Sequence, residues 1–290
     1  MQSRLKVNRE CLHEEGVDYI NLWARGQAEN RYRKRLAKIL DKEIVDERKI
    51  LRLSRQLYDI VATEETSSNS LAVLSFENIL GSFDLTRNSV PYPHAAAVIR
   101  HIAEAFSDRR VRIFLAIRSL DRFLESSYLQ RVTTRRETRS FEQYLKEIDV
   151  PALSWLPLVR AVESVVGPED TILWEYERFF SDEPEIWNAL LDRPDAEAIL
   201  TNPARRNNHS LSARGLTVMR SVNKIGTPKV AKKLRKFIKR YFSRGTESNS
   251  PNLLCDASRL QLIENYERDR RELAGRNAGR SCKSTDRDRS

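Results

Sequence analysis

Two residues of the stretch "IRSLDRFLESSY" (117–128) have the types and the spacing to hold an anion. Arg118 closes the apolar run "VRIFLAI" and is followed at once by a helix start, and the carboxyl ends of strands are where open α/β sheets bind ligands. The first turn of such a helix carries unpaired N–H groups and partial positive charge, which suit a phosphate. Arg118 would add charge-assisted, bidentate hydrogen bonds, and Ser126, about two helical turns further along, would add a hydroxyl. The same residues have a plainer use, in which Arg118 pairs with Asp121 or Glu125 and the serines fill a helix face.

Other side chains could do chemistry, each with a bland reading beside it. Glu77 stands just beyond the apolar run "LAVLSF", where a carboxylate could act as general base on an acceptor, or simply cap the helix start "ENILG". Arg205 and Arg206 in "NPARRNNHS" could add phosphate contacts, although a solvated loop is the commoner role of such a pair. His94 and His101 share one helix face by their spacing, and histidines so placed are more often packed or solvated than catalytic. Glu175 and Glu177 are read as structural. Cys11, Cys255 and Cys282 are odd in number, far apart and in no CxxC or Cys/His cluster, so neither a disulfide frame nor a metal site is expected.

The elements that must position these residues alternate. Residues 31–64 have no Gly or Pro and carry Leu36, Leu40, Ile44, Leu51, Leu57 and Val61 on a helical period, which predicts one long amphipathic helix. "LAVLSF" (71–76), "VRIFLAI" (111–117) and "DTILWEY" (170–176) are apolar runs of strand length. Between and after them, helical spacing recurs in "HAAAVIRHIAEAF", "SLDRFLESSYLQRV", "SFEQYL" with a Ser140 cap, "LSWLPLVRAVESVVG" closing near Gly167, and four further segments beyond residue 180. Three short apolar strands separated by helices predict an α/β layered domain around a small parallel sheet, with a helix-rich C-terminal third.

Charge divides the chain unevenly. Residues 1–202 carry 29 Lys+Arg against 33 Asp+Glu, whereas residues 203–290 carry 22 against 8. That imbalance favours a polyanionic partner, such as an acidic glycan, nucleic acid or an anionic membrane, and also arises from a merely solvated tail. The segment "KVAKKLRKFIKRYFSR" (229–244) concentrates it: eight Lys/Arg with Val230, Leu234, Phe237, Ile238 and Tyr241 at helical spacing. This is the form of a membrane-surface or polyanion-binding helix, and equally of an amphipathic helix that docks its apolar line on the core, which is the commoner case. Nucleic acid is disfavoured, since no helix-turn-helix spacing, zinc pattern or aromatic-basic RNA motif is present. With no apolar stretch of about 18 residues and no export signal at the start, the expected location is the cytoplasm.

On Arg118, the Asp121-Arg122 pair, Ser126 and Tyr128, the stretch resembles the 3′-phosphate motif of sulfotransferases that use 3′-phosphoadenosine 5′-phosphosulfate (PAPS), as found in bacterial members. "VLSFENIL", "SFEQYL" and "WLPLVRAVESVVGPEDTILWEYERF" resemble further elements in that family's order, and "NHSLSARGLTVMRSVNK" and "LLCDASRLQLIENYERDRRELA" its later helices. The resemblance implies a P-loop-like fold, PAPS as donor without a metal, Arg118 and Ser126 on its 3′-phosphate, and sulfuryl transfer to a hydroxyl or amine. An anionic glycan or lipid would then suit the basic helix as acceptor. It divides the chain into a sulfotransferase-like domain (1–225), a basic helical extension packed on it (226–275) and a disordered tail (276–290).

One part of the family pattern is missing. The family cradles the 5′-phosphosulfate in a Gly-rich loop after its first strand, and none of the nine glycines here follows a strand in a Gly-rich, Lys-Ser/Thr turn. The opening "MQSRLKVNRECLHEEGVDYI" resembles the helix that comes after that loop. The expectation is therefore either a truncated reading frame with its true start upstream or a degenerate relative that binds nucleotide or polyanion without transferring sulfate.

Overall fold

The computed structural model describes residues 1–21, 27–42, 44–64, 71–76, 79–81, 85, 89–201, 211–241 and 251–284. In chain order the elements are α1 (Gln2–Val7), α2 (Arg9–Glu14), β1 (Val17–Ile20), α3 (Gln27–Leu40), α4 (Glu47–Glu64), β2 (Leu71–Leu74), α5 (Ala95–Ala105), β3 (Ile113–Ile117) and α6 (Leu120–Thr134). There follow α7 (Phe141–Leu145), α8 (Leu156–Val166), β4 (Thr171–Glu175), α9 (Glu183–Leu191), α10 (Ala196–Ile199), α11 (Ala213–Ile225), α12 (Pro228–Tyr241) and α13 (Asp256–Ser284). The chain is mixed α/β, with helices around two parallel two-stranded sheets, β1–β2 and β3–β4.

It forms two compact units that interleave in sequence. The first comprises residues 1–83, 92–117 and 157–206, and the second 84–91, 118–156 and 207–290. The four strands found among the described residues all lie in the first unit. Its sheets run in register from Val17↔Leu71 to Ile20↔Leu74 and from Ile113↔Thr171 to Ile117↔Glu175. Leu5 and Leu12 of the first two helices, Val17, Tyr19 and Val73 of the β1–β2 pair, and Trp187 of α9 share one buried cluster, against which Phe114 and Trp174 pack.

Two expectations about this unit are corrected. A fourth strand, β1, was hidden in "EGVDYI", where Asp18 interrupts the apolar run; its side chain is buried, with His13 Nδ1 2.9 Å from the carboxylate. Gly16 makes the turn into that strand, with φ of 79° and its N–H on the His13 carbonyl, a left-handed helix end that glycine enters without a Cβ penalty. The single helix expected over 31–64 is two helices, α3 and α4. Ile44 continues the apolar period but lies in the break and is 85% exposed, while the Asp46 carboxylate accepts from the Lys49 N–H and starts α4.

The second unit is helical. Its α7 opens on a capping box: Ser140 Oγ accepts from Gln143 N (3.1 Å), and Gln143 Oε1 accepts from Ser140 N (2.8 Å). The buried amide of Asn223 on α11 donates to the carbonyls of Val132 (2.8 Å) and Glu137 (3.0 Å), pinning the end of α6. On α13, Asn265 donates to the carbonyls of Val150 and Leu153, and the fully buried Asp269 accepts from Trp155 N (2.7 Å) and Ser154 Oγ (2.9 Å). Burial raises the Asp269 carboxyl above the usual range, and these two donors pull it back. Helix α13 continues to Ser284, into the polar stretch expected to be without structure. Among the described residues no helix is long and apolar enough to cross a membrane.

Candidate anion site at the β3–α6 corner

Arg118 follows β3 directly, and Ser119 then starts α6 with extended backbone (φ −49°, ψ 125°). The Ser119 side chain does not cap the helix; its hydroxyl donates to the Asp121 carboxylate. The Arg118 carbonyl accepts from Trp155 Nε1 at 2.7 Å, and the Trp155 ring meets Phe123 edge-on with centroids 4.6 Å apart. The corner is therefore fixed on its apolar side by an indole that reaches both the strand exit and the first helical turn.

Helix α6 is buried around most of its circumference. Leu120, Phe123, Leu124, Ser127, Tyr128, Leu129 and Val132 are sealed from solvent. Arg122 and Gln130 are exposed and Ser126 is half-buried, so the open positions recur every fourth residue and form one ridge. Arg118 lies before the helix, at the end of β3, and is itself half-buried. Of the paired serines, Ser126 lies on this open ridge and Ser127 is fully buried. Tyr128 is structural: its hydroxyl donates to the Arg139 carbonyl at 2.7 Å, its ring packs on Phe141 and Tyr144, and burial raises its pKa.

The carboxylates between these positions face elsewhere. Asp121 and Glu125 are both buried, and Arg259 of α13 binds both, with Nη1 3.1 Å from Asp121 Oδ2 and Nη2 2.9 Å from Glu125 Oε1. Glu125 also accepts from Leu253 N at 3.2 Å, and Arg259 Nη2 reaches Asn252 Oδ1. The expected alternative gave these acids to Arg118; the structure gives them to Arg259. Arg122 touches Asp121 only loosely, at 3.7 Å, with its own side chain 56% exposed. The open ridge of α6 thus carries the Arg122 guanidinium and the Ser126 hydroxyl, while both acids are paired with Arg259 on the adjoining face, about 100° round the helix. Local spacing could have found the four-residue ridge. Nothing local points to Arg259, which lies 138 residues from Asp121.

Three expected site residues, Glu77, Arg205 and Arg206, lie outside the described residues. The two histidines have structural surroundings. His94 Nε2 lies 3.1 Å from the Lys42 carbonyl, and His101 sits between Glu104 (3.1 Å) and Glu47 (3.2 Å), packing α5 against α4. Among the described residues no group of three or more His, Cys, Asp or Glu side chains is placed to hold a metal ion. Comparison of the chain with protein-family models, curated proteins and solved structures finds no match in any of the three.

Proposed function

We propose that the β3–α6 corner binds a nucleotide phosphate, and that the protein is a sulfotransferase-like protein of P-loop-like fold whose donor is PAPS. The observation that carries this reading is the segregation of charge on α6. Arg122 and Ser126 fall on the open ridge, Arg118 stands at the strand exit just before the helix, and the carboxylates that would repel a phosphate are buried against Arg259. In the proposed reaction the sulfur–oxygen bond to the 5′-phosphate breaks as a bond forms from sulfur to an acceptor hydroxyl or amine. The acceptor proton passes to a base, for which Glu77 is the candidate, and adenosine 3′,5′-bisphosphate leaves. Arg118 and Ser126 would hold the 3′-phosphate and so fix the donor in line, with Arg205 and Arg206 as further phosphate contacts.

A second reading, a non-catalytic relative that binds nucleotide or polyanion, draws support from the glycines, none of which follows a strand in a Gly-rich, Lys-Ser/Thr turn. Calorimetric titration with adenosine 3′,5′-bisphosphate tests what both share. The wild type should bind, Arg118→Ala should lose binding, and Ser126→Ala should weaken it by about tenfold, the worth of one charge-assisted hydrogen bond. Equal, weak binding by all three removes the phosphate site. Transfer of label from PAPS to an acceptor then separates the enzyme from the binder.

A further inference from the structure

The apolar line of α12 was expected to dock on the core, and of it only Ile238 does. Val230, Leu234, Phe237 and Tyr241 are 45, 38, 54 and 64% exposed. What docks is the adjacent face, where Ala231 and Ile238 are buried against the neighbouring helix layer, and α11 is the element α12 packs on most closely. Arg235 fixes the rotation, since its Nη1 donates to the Thr133 carbonyl at the end of α6 at 2.9 Å. The helix cannot turn its larger apolar residues inward without breaking that bond. Phe237 and Tyr241 lie one turn apart with ring centroids 4.3 Å apart, so the two aromatics form a continuous exposed surface. From Val230 to Tyr241 the stripe runs about 16 Å along the helix.

We infer that α12 is a membrane-surface helix that lays this stripe into the headgroup boundary of an anionic phospholipid bilayer. Residues 228–241 contain seven Lys/Arg and no Asp or Glu, and Lys233 beside the stripe is exposed. A bilayer carrying acidic lipids satisfies both properties at once, because phosphates meet the cations while the aromatic and aliphatic side chains enter the acyl boundary. The other occupants satisfy only one. A second copy of this helix would bring two strongly cationic surfaces together, and repulsion opposes that. A nucleic acid or acidic glycan would meet the cations but leave Val230 and Leu234 without an apolar partner, and Phe237 and Tyr241 already stack on each other instead of presenting two open faces. This inference is independent of the nucleotide site.

The test is co-sedimentation with vesicles of phosphatidylglycerol and phosphatidylcholine in equal parts, and with vesicles of phosphatidylcholine alone. The wild type should sediment with the first and not the second. L234S/F237S/Y241S keeps every charge and alters only exposed side chains, and it should bind at least about tenfold more weakly with an unchanged melting temperature. F237W should show a blue-shifted emission on the mixed vesicles and be quenched by lipids brominated in their acyl chains. The proposal is overturned if the wild type ignores the mixed vesicles, or if the triple variant binds them as tightly as wild type, which marks adsorption by charge alone. It is also overturned if the added indole of F237W is not quenched, or if the stripe proves to be covered in a dimer that the triple variant abolishes.

Discussion

Removing the guanidinium of Arg259 is the sharpest perturbation of the α6 site. In Arg259→Met the Asp121 and Glu125 side chains, 5 and 9% exposed, lose the cation that serves both. Each loses one charge-assisted hydrogen bond, about 1.5–3 kcal/mol apiece. Each also keeps a partner: Asp121 the Ser119 hydroxyl, Glu125 the Leu253 N–H. The expected loss is therefore at the lower end of the range for breaking a buried ion pair, about 3 kcal/mol. That is a large fraction of a domain stability of about 5–15 kcal/mol. Restoring neutrality should restore stability, so R259M/D121N/E125Q should recover at least half of the loss. Urea unfolding followed by fluorine NMR of 5-fluorotryptophan-labelled protein makes the measurement, because Trp155 packs on Phe123 in this unit and reports it separately from Trp187 in the other. A loss below about 1 kcal/mol in R259M, or a triple variant no more stable than R259M, refutes the idea that these acids are held by charge rather than by packing.

Three further outcomes are expected. Glu137 accepts from Arg139 at both oxygens and from the Thr138 and Arg139 amides, and this Arg139 pairing holds its carboxyl down from 4.5 to about 2. A folded pKa below the unfolded one means that the contribution is present above pH 4.5 and is lost as pH falls toward 2; E137Q should flatten the wild-type decline in melting temperature across that window, and an unchanged slope would remove Glu137 as its source. At Gly16 an added Cβ would meet nothing within 4 Å, so Gly16→Ala should cost only the left-handed backbone penalty, about 1–2 kcal/mol by urea unfolding read at Trp187. Ile44→Ser should change stability by less than about 0.5 kcal/mol, whereas Leu36→Ala, at a position 2% exposed, should cost about 2–5 kcal/mol; equal losses would place Ile44 on a buried helix face after all.

What could be read from the sequence was what is decided locally. Ser140 and Gln143 meet three residues apart, Gly167 closes α8 beside its own helix, and the apolar runs at 113–117 and 171–175 need no distant partner to be recognised as strands. The turn from strand to helix at Arg118, and the half-open position of Ser126, belong to the same class. Features that a residue's type and period do not reveal were not legible. Asp18 reads as a break in an apolar run until His13 is seen beside it, and Ile44 reads as helix because period alone cannot tell an exposed break from a buried face. The partner of Asp121 and Glu125 lies on the far side of more than a hundred residues. For α12 the pattern showed one apolar line, and its division into a buried Ile238 and an exposed remainder goes with the bond from Arg235 to Thr133.

The grip of α13 on the rest of its unit has a consequence for biosynthesis. Asp121 and Glu125 leave the ribosome long before Arg259, and Ser154 and Trp155 long before Asp269. At roughly 5–20 residues per second, the acids of α6 wait on the order of ten seconds for their counter-ion. During that interval α6 cannot bury its acidic face at low cost, so this half of the molecule should condense only after translation has passed α13, and a nascent chain arrested near residue 250 should remain open to protease between residues 118 and 156.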